Sequence, residues 1–299
     1  MPTSPAFDFE EYIRKHALEI NQALGEYLPS PRTKPVSIHQ AMRYSLFAGG
    51  KRVRPILTLA AAEACNGSRA NAMPLACAME CIHTYSLIHD DLPSMDDDDF
   101  RRGQPTSHKV FGEGIAILAG DALLTQAIEI ATHAKGRSRY SHVDLIREIT
   151  NAAGSLNLIA GQVADLEAAG KKVTLSQLRY IHKRKTSALL MCSVRLGGMS
   201  ANCTTNQLKA LTSFGNHVGL AFQVIDDILD VTRNTEQLGK TAGKDEKASK
   251  ATYPAIVGLK KSRAIADQLT DKSFAALKPF RGRAKALEAI ARSLLKRES

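Results

Sequence analysis

Six aspartates fall at positions 90–99 of the stretch Ser86-Leu-Ile-His-Asp-Asp-Leu-Pro-Ser-Met-Asp-Asp-Asp-Asp-Phe-Arg-Arg-Gly103, just after an apolar run and just before two arginines. Carboxylates this crowded repel one another and raise each other's pKa unless cations share them, and a donor set of oxygens alone suits Mg2+. On an undistorted helix Asp96 would lie about 600° round from Asp90, about 120° off its face, and the two could not share a metal. Pro93 removes that objection. It lacks an N–H and its ring collides with the carbonyl of His89, so the helix must bulge or end there, a break that can return Asp96 towards Asp90. Arg101 and Arg102 follow with planar donor forks that match phosphate oxygens. A second cluster, Phe222-Gln-Val-Ile-Asp-Asp-Ile-Leu-Asp230, places Asp226 and Asp230 four apart on one helix face. With Lys240 and Lys244 downstream of it, the pattern points to a cavity in which several Mg2+ ions hold a diphosphate from both sides. A Ca2+ loop is a poor alternative, because from Asp96, Asp97, Asp98 or Asp99 the glycine at the sixth position and the glutamate at the twelfth are not met together.

The elements that must position these groups read as helices. Phe9, Ile13, Ala17, Ile20, Leu24 and Tyr27 or Leu28 predict an amphipathic helix over 8–28, and a second starts at about Ser37 after a stiff connector containing Pro29, Pro31 and Pro35. Gly49-Gly-Lys-Arg-Val-Arg-Pro55 then clusters Lys51, Arg52 and Arg54 before Pro55 opens another helix. By itself this is a solvated basic loop or a cradle for an anion. The run Met73 to His89 is helical, which puts His83 about two turns before Asp90 on the same face, with Ser86 on that face and Tyr85 more to the side. Residues 114–135, 141–169 and 174–201 keep helical period and are broken by glycines, and no run of alternating strands occurs. In Gly161-Gln-Val-Ala-Asp165 a polar pair enters an apolar helix, either lining a cavity or forming a polar face. Lys183-Arg-Lys-Thr-Ser187 interrupts a long helical pattern, and Gly219 costs the helix about 1 kcal/mol relative to alanine, for which close backbone packing is an explanation. Asn234 to Thr252 reads as a polar loop. Lys278 to Ser299 reads as a basic amphipathic helix suited to membrane-surface contact or to packing, of which packing is the expectation.

Bulk composition narrows the function classes. With 299 residues and 44% apolar composition the chain can bury a large core. The net charge of +10 admits nucleic acid, an anionic membrane surface or acidic small substrates. Aromatics make up only 5% and tryptophan is absent, which leaves no stacking platform for nucleic acid. Five cysteines in apolar surroundings fit buried thiols in a reducing compartment, and Cys77 and Cys81 lack a second matching pair for zinc. No secretory segment follows Met1 and no apolar run reaches membrane-spanning length, so a cytoplasmic protein without stable membrane insertion is expected.

From about Gly49 to Pro254 the constellation resembles the trans-isoprenyl diphosphate synthases, the bacterial and plastid types of farnesyl and geranylgeranyl diphosphate synthase in particular. The first Asp-rich motif, lengthened by two residues around Pro93, and Asp226-Asp-Ile-Leu-Asp230 are far more specific together than either alone. The resemblance implies an all-α fold, a single-domain helical bundle of the isoprenoid synthase type with a central cavity, and a single polyprenyl synthase domain over residues 1–299. It implies that Gly50, Lys51, Arg54, His83 and Arg102 bind the diphosphate of isopentenyl diphosphate. It also implies that Asp90, Asp96 and Asp226, supported by Asp91 and Asp230, hold three Mg2+ around an allylic diphosphate. Arg101, Lys185 and Lys240 would neutralise that diphosphate as it leaves, Lys250 would join on closure of a lid, and Thr186 and Gln223 would stabilise the allylic cation by their dipoles. The isopentenyl double bond would then attack C1, and proton loss would give a trans product five carbons longer.

An aromatic at Tyr85, with Ser86 beside it, goes by the same resemblance with a C15 product, so farnesyl diphosphate by way of geranyl diphosphate is the expected product and a homodimer the expected assembly. Four rivals remain: a geranylgeranyl diphosphate synthase, a terpene cyclase, a non-catalytic subunit of a prenyl synthase and, last, a basic nucleic-acid binder. A cyclase carries an Asn/Ser/Glu-type second metal motif, and a non-catalytic subunit loses one Asp cluster, whereas both clusters are intact here.

Overall fold

The computed structural model describes residues 7–232 and 251–295. Apart from one two-residue hairpin, the regular structure among them is helical, as expected. The described residues fall into two compact units, Met1–Ile149 with Leu196–Asn202, and Thr150–Arg195 with Cys203–Ser299.

In the first unit α1 (Phe9–Tyr27) begins at Asp8, whose carboxylate accepts the N–H of Glu11, and buries His16, Ile20 and Leu24. The Asp8 cap and two glutamates in the first turn favour the positive end of the helix dipole. α2 (Val36–Phe47) and α3 (Val53–Ala64) flank the Gly49–Arg52 turn. α4 (Arg69–Asp90) is the central helix and is buried along most of its length, from Asn71 to Asp90. It packs against α3 on one side and α6 on another. A hairpin of β1 (Phe100–Arg101) and β2 (Gln104–Pro105) pairs Arg101 with Gln104 and leads through α5 (Ser107–Phe111) into α6 (Glu113–Ala131) and α7 (His142–Ala153).

α6 corrects one expectation, since by length and composition it could cross a membrane, with a mean hydropathy of 1.5. Glu113, Asp121 and Glu129 interrupt the apolar letters, which hid the helix from a search for an unbroken run. Its Ala116, Ala119, Leu123, Ala127 and Ile130 are buried, as in a core helix, and it packs on α4, where His89 Nε2 lies 3.0 Å from the carbonyl of Ile117.

In the second unit α8 (Leu158–Ala168) and α9 (Leu175–His182) precede a single π turn, Lys183–Ser187, that continues into α10 (Ala188–Ser200), of which residues from Leu196 on count with the first unit. α9 opens with a reciprocal cap between Thr174 and Gln177. The long α11 (Thr205–Thr232) lies along α13 (Leu259–Leu277), with the short α12 (Tyr253–Val257) between them in sequence. Leu178, Ala221, Val224, Ile228, Tyr253, Ala266 and Leu269 form the core there. The helix of the tail starts later than its composition indicated. A 3-10 turn at Lys278–Phe280 and a left-handed Arg281 precede α14 (Lys285–Leu295), whose Leu287, Ile290, Ala291 and Leu294 are buried. Its apolar face packs inward, as the packing reading held. All five cysteines are buried thiols outside any disulfide, and burial pushes the Cys77 thiol up to about 12 and raises that of Cys81.

Candidate active site

Pro93 ends the first Asp helix. α4 stops at Asp90, and the chain then turns back on itself: Asp96 N–H donates to the carbonyl of Asp90 at 2.9 Å, Asp97 N–H to that of Leu92 at 3.2 Å, and Asp98 N–H to that of Asp91 at 3.3 Å. The two halves of the cluster are thereby tied by main chain, with Asp97 left-handed at φ 47°. Asp90 and Asp91 are buried, Asp96 and Asp98 half-buried, and Asp97 and Asp99 exposed. Arg101 Nε donates to both Asp91 oxygens, at 2.7 and 2.9 Å, and its terminal nitrogen lies 2.5 Å from Asp91 Oδ1 and 3.6 Å from Asp98 Oδ2. Burial nevertheless raises the Asp91 pKa, because desolvation outweighs the bond from Arg101, and Asp98 adds to the rise. A cation beside this carboxylate would relieve that penalty, so hard oxygen donors and an unfavourable local negative charge both fit Mg2+. A further group, Asp97, Asp99 and His108, brings ligand atoms within 4.8 Å of one another, but Lys109 Nζ already lies 2.7 Å from Asp99.

The basic side of the first unit is built on the turn before α3. Gly50 has φ +113°, and a Cβ there would stand 2.6 Å from the Arg102 guanidinium carbon, so only glycine lets that side chain cross the turn. Arg102, itself left-handed at φ 54°, donates to the carbonyl of Gly49. Lys51 is exposed, while Arg54 is partly buried, and burial, with Arg102 adding to it, lowers the Arg54 pKa to about 10 against the opposing pull of Glu80. His83 lies among these arginines. Burial first, then Arg54, Arg102, Arg101 and Arg52, hold its pKa well below the ordinary value, which favours the neutral imidazole. Arg52 departs from the charge cluster read in the sequence, because its side chain is buried and turned inward rather than towards a ligand. Tyr85 is buried with its ring edge-on to His89 at 5.8 Å, and burial with the Asp90 charge pushes its phenol up to about 12. Ser86 spends its hydroxyl on the carbonyl of His83, at 2.9 Å.

In the second unit a cleft of about 150 Å³ is lined by Asp165, His182, Lys185, Gln223, Asp226 and Asp227 among others. This answers the open question about Gly161–Asp165: Asp165 faces the cleft, 2.7 Å from Lys185 Nζ. Lys185 and Thr186 sit in the π turn, where the i→i+5 pattern inserts an extra residue and displaces the backbone. Two close approaches fit that turn. A Cβ on Gly161 would stand 2.2 Å from the Lys185 nitrogen, and one on Gly219 2.7 Å from the Ser187 Cα, which accounts for the glycine inside α11. Asp226 and Asp230 are half-exposed along α11. Asp227 is different: it is buried and its Oδ2 accepts the N–H of Tyr253 at 2.8 Å. Lys240 and Lys250 lie outside the described residues.

His182, which the sequence reading passed over, is buried with Nε2 3.8 Å from Asp227 Oδ1, and burial lowers its pKa to about 4, with Lys185 adding to the drop and Asp165 opposing it. The folded state therefore binds this proton less well than the unfolded chain. Stability is full above pH 6.5 and falls as the pH drops through the window from about 6.5 to 4, by a limit on the order of 3 kcal/mol. Urea unfolding at pH 7 and at pH 4.5 should show the loss, and His182→Gln should reduce it; His83 contributes with the same sign.

A profile described as "Polyprenyl synthetase" matches residues 35–285. The chain is 51% identical over 270 residues, 88% of this chain and 72% of the relative, to the heterodimeric geranylgeranyl pyrophosphate synthase large subunit 1, chloroplastic, of Arabidopsis thaliana. It is 50% identical over 280 residues, 93% of this chain and 78% of the relative, to the chloroplastic geranylgeranyl pyrophosphate synthase of Catharanthus roseus. Among solved structures it is similar to an FPP/GFPP synthase from Zymomonas mobilis, with a TM-score of 0.84, 33% identity and coverage of 96% of this chain and 98% of that one. The all-α fold is thus that of the isoprenyl synthases. The cytoplasmic location expected from the sequence is overturned, since these curated relatives are chloroplastic. A catalytic domain carries the same chemistry in either compartment, so its motifs could not have told them apart.

Proposed function

Because the chain belongs to the polyprenyl synthetase family, as the match over residues 35–285 shows, we propose that it is a geranylgeranyl diphosphate synthase. That it is a prenyltransferase using isoprenyl diphosphates follows from the family. The product length is our reading, and the observation that carries it is the 50–51% identity to two proteins named for geranylgeranyl diphosphate synthesis. In this reading the two units act as one polyprenyl synthase domain. The residues that would hold Mg2+ are Asp90, Asp96 and Asp226, with Asp91 and Asp230 in support. Bound there, Mg2+ supplies positive charge to the departing diphosphate and lowers the barrier to C–O ionisation.

The chain's own residues do the rest. Arg101, held by Asp91, and Lys185, held by Asp165, present cations to the allylic diphosphate. Thr186 and Gln223 turn dipoles towards the allylic cation, where water-excluded oxygens are most effective. Gly50, Lys51, Arg54, His83 and Arg102 receive isopentenyl diphosphate. A neutral His83 can donate one N–H to a phosphate oxygen without adding a charge that neighbouring arginines would resist. Lys240 and Lys250 are assigned to the leaving diphosphate by the family likeness. We carry over a plastid location from the relatives' names, and a homodimer as the assembly. The heterodimeric name of one relative makes a mixed pair the alternative, which light scattering on the chain alone would separate.

A second reading, farnesyl diphosphate as the end product, is favoured by Tyr85, a buried aromatic on α4 five residues before Asp90. Supplying farnesyl diphosphate as the allylic primer with isopentenyl diphosphate separates the two. Conversion to a C20 product is expected. A chain that stops at C15, and whose Tyr85→Ala variant goes on to C20, would establish the second reading instead.

A further inference from the structure

Lys51, Arg52 and Arg54 are three cations of one short turn, and only the structure divides their work. Lys51 is exposed and Arg54 faces His83 and Arg102, but Arg52 is only 3% exposed. Its backbone takes the left-handed conformation, φ 49°, unusual for a residue with a Cβ. That conformation sends the guanidinium inward to four acceptors: Asn21 Oδ1 on α1 at 2.8 Å, the carbonyl of Leu46 in the last turn of α2 at 2.8 Å, the carbonyl of Gly49 at 3.4 Å, and Glu80 Oε1 on α4 at 2.8 Å. Glu80 is 1% exposed and lies three residues before His83, on the neighbouring turn of the same helix.

We propose that Arg52 and Glu80 are positioning residues for the isopentenyl diphosphate site, a buried ion pair that fixes the Gly49–Arg54 turn against α4. The coupling runs through one atom. The carbonyl of Gly49 accepts from Arg52 on one side and from Arg102 on the other, so a shift of Arg52 moves the support on which Arg102 rests. The same pair fixes the spacing between Arg54, on the turn, and His83, on α4. Glu80 is also the carboxylate whose field opposes the lowering of both the Arg54 and the Arg102 pKa by burial, so it steadies the charge of a pocket crowded with arginines. Buried ion pairs of this kind contribute little to stability compared with apolar residues of similar volume, and fixing geometry is a role they can serve.

The inference rests on the prenyl-transfer reading, and its test is chosen to fail separately from it. The double variant Arg52→Met with Glu80→Leu removes both charges, leaves the net charge of the pocket unchanged and fills similar volume. Its KM for isopentenyl diphosphate should rise about tenfold or more, while kcat and the KM for the allylic primer stay within about threefold. Arg52→Lys, which keeps the charge but lacks the planar fork, should fall between the double variant and wild type, and it carries the test if the double variant does not fold. Calorimetric binding of isopentenyl diphosphate alone is measured beside turnover and should weaken by the same factor. Unchanged binding, or a proportional loss in kcat and in both KM values, would overturn the proposal. A wild-type protein that binds isopentenyl diphosphate but does not condense it would sink prenyl transfer, and the binding data would still decide the role of the pair.

Discussion

Asp226→Ala is expected to lower kcat by about 10³-fold or more while leaving the melting temperature within a few degrees of wild type, and its neighbour Asp227→Ala is expected to do the reverse in stability. The two residues are the same letter side by side, and their surroundings separate them. Asp226 is half-exposed and lines the cleft that also holds Lys185 and Gln223, so its truncation leaves the core intact and removes a carboxylate proposed for Mg2+. Asp227 is 8% exposed and accepts the Tyr253 N–H, so alanine there strands a buried donor at a cost of about 1–3 kcal/mol. Thermal melts with steady-state rates over a range of Mg2+ concentrations check both. If Asp226→Ala melts early, or if its rate is near wild type at every Mg2+ concentration, the assignment of Asp226 is wrong.

The second large effect is expected at Gly161. On helix propensity alone, Gly161→Ala would stabilise α8 by about 1 kcal/mol. The structure reverses the sign, because the new Cβ would stand 2.2 Å from the Lys185 nitrogen, 2.6 Å from its Cα and 2.8 Å from the Arg184 carbonyl carbon. These are main-chain atoms and cannot swing aside as a flexible side chain would. The π turn must move, at a cost of about 1–3 kcal/mol. Lys185 and Thr186 move with it, and a displacement of about 1 Å at groups that orient a reacting substrate costs about 10²-fold in rate. The expected result is a fall in kcat/KM for the allylic primer of that order, with calorimetric binding of isopentenyl diphosphate unchanged. An alanine variant as active as wild type would show that the close approach does not hold the turn in place.

These residues also show what a sequence can and cannot carry. Helices were legible because apolar positions recur with a helical period from Phe9 to Tyr27 and glycines or prolines mark the breaks. The break at Pro93 was legible in kind, since the missing N–H and the ring are local facts, and the hydrogen bond from Asp96 to Asp90 realises it. The fate of Lys183–Ser187 was less so. Three cations in a helical pattern read only as an interruption, and the π turn depends on how closely Gly161 and Gly219 let two other helices approach. Arg52 was illegible for the same reason. Its partners Asn21 and Glu80 are far away in sequence, and nothing local distinguishes it from Lys51 or Arg54. His182 lacked a signal altogether, because a lone histidine on an apolar face is more often a core residue. For product length, the names of the curated relatives weigh against what Tyr85 alone indicates.

Transfer of an allylic prenyl group onto isopentenyl diphosphate, with the allylic diphosphate released, is measured most directly by its stoichiometry. The wild-type chain is incubated with labelled isopentenyl diphosphate, dimethylallyl diphosphate and Mg2+, and released diphosphate is counted against the carbon gained by the prenyl chain. The account predicts one diphosphate released for each isopentenyl unit added, an allylic product that itself primes further rounds, and loss of both on adding EDTA. Diphosphate released without chain growth, or no release with any allylic primer, would contradict it.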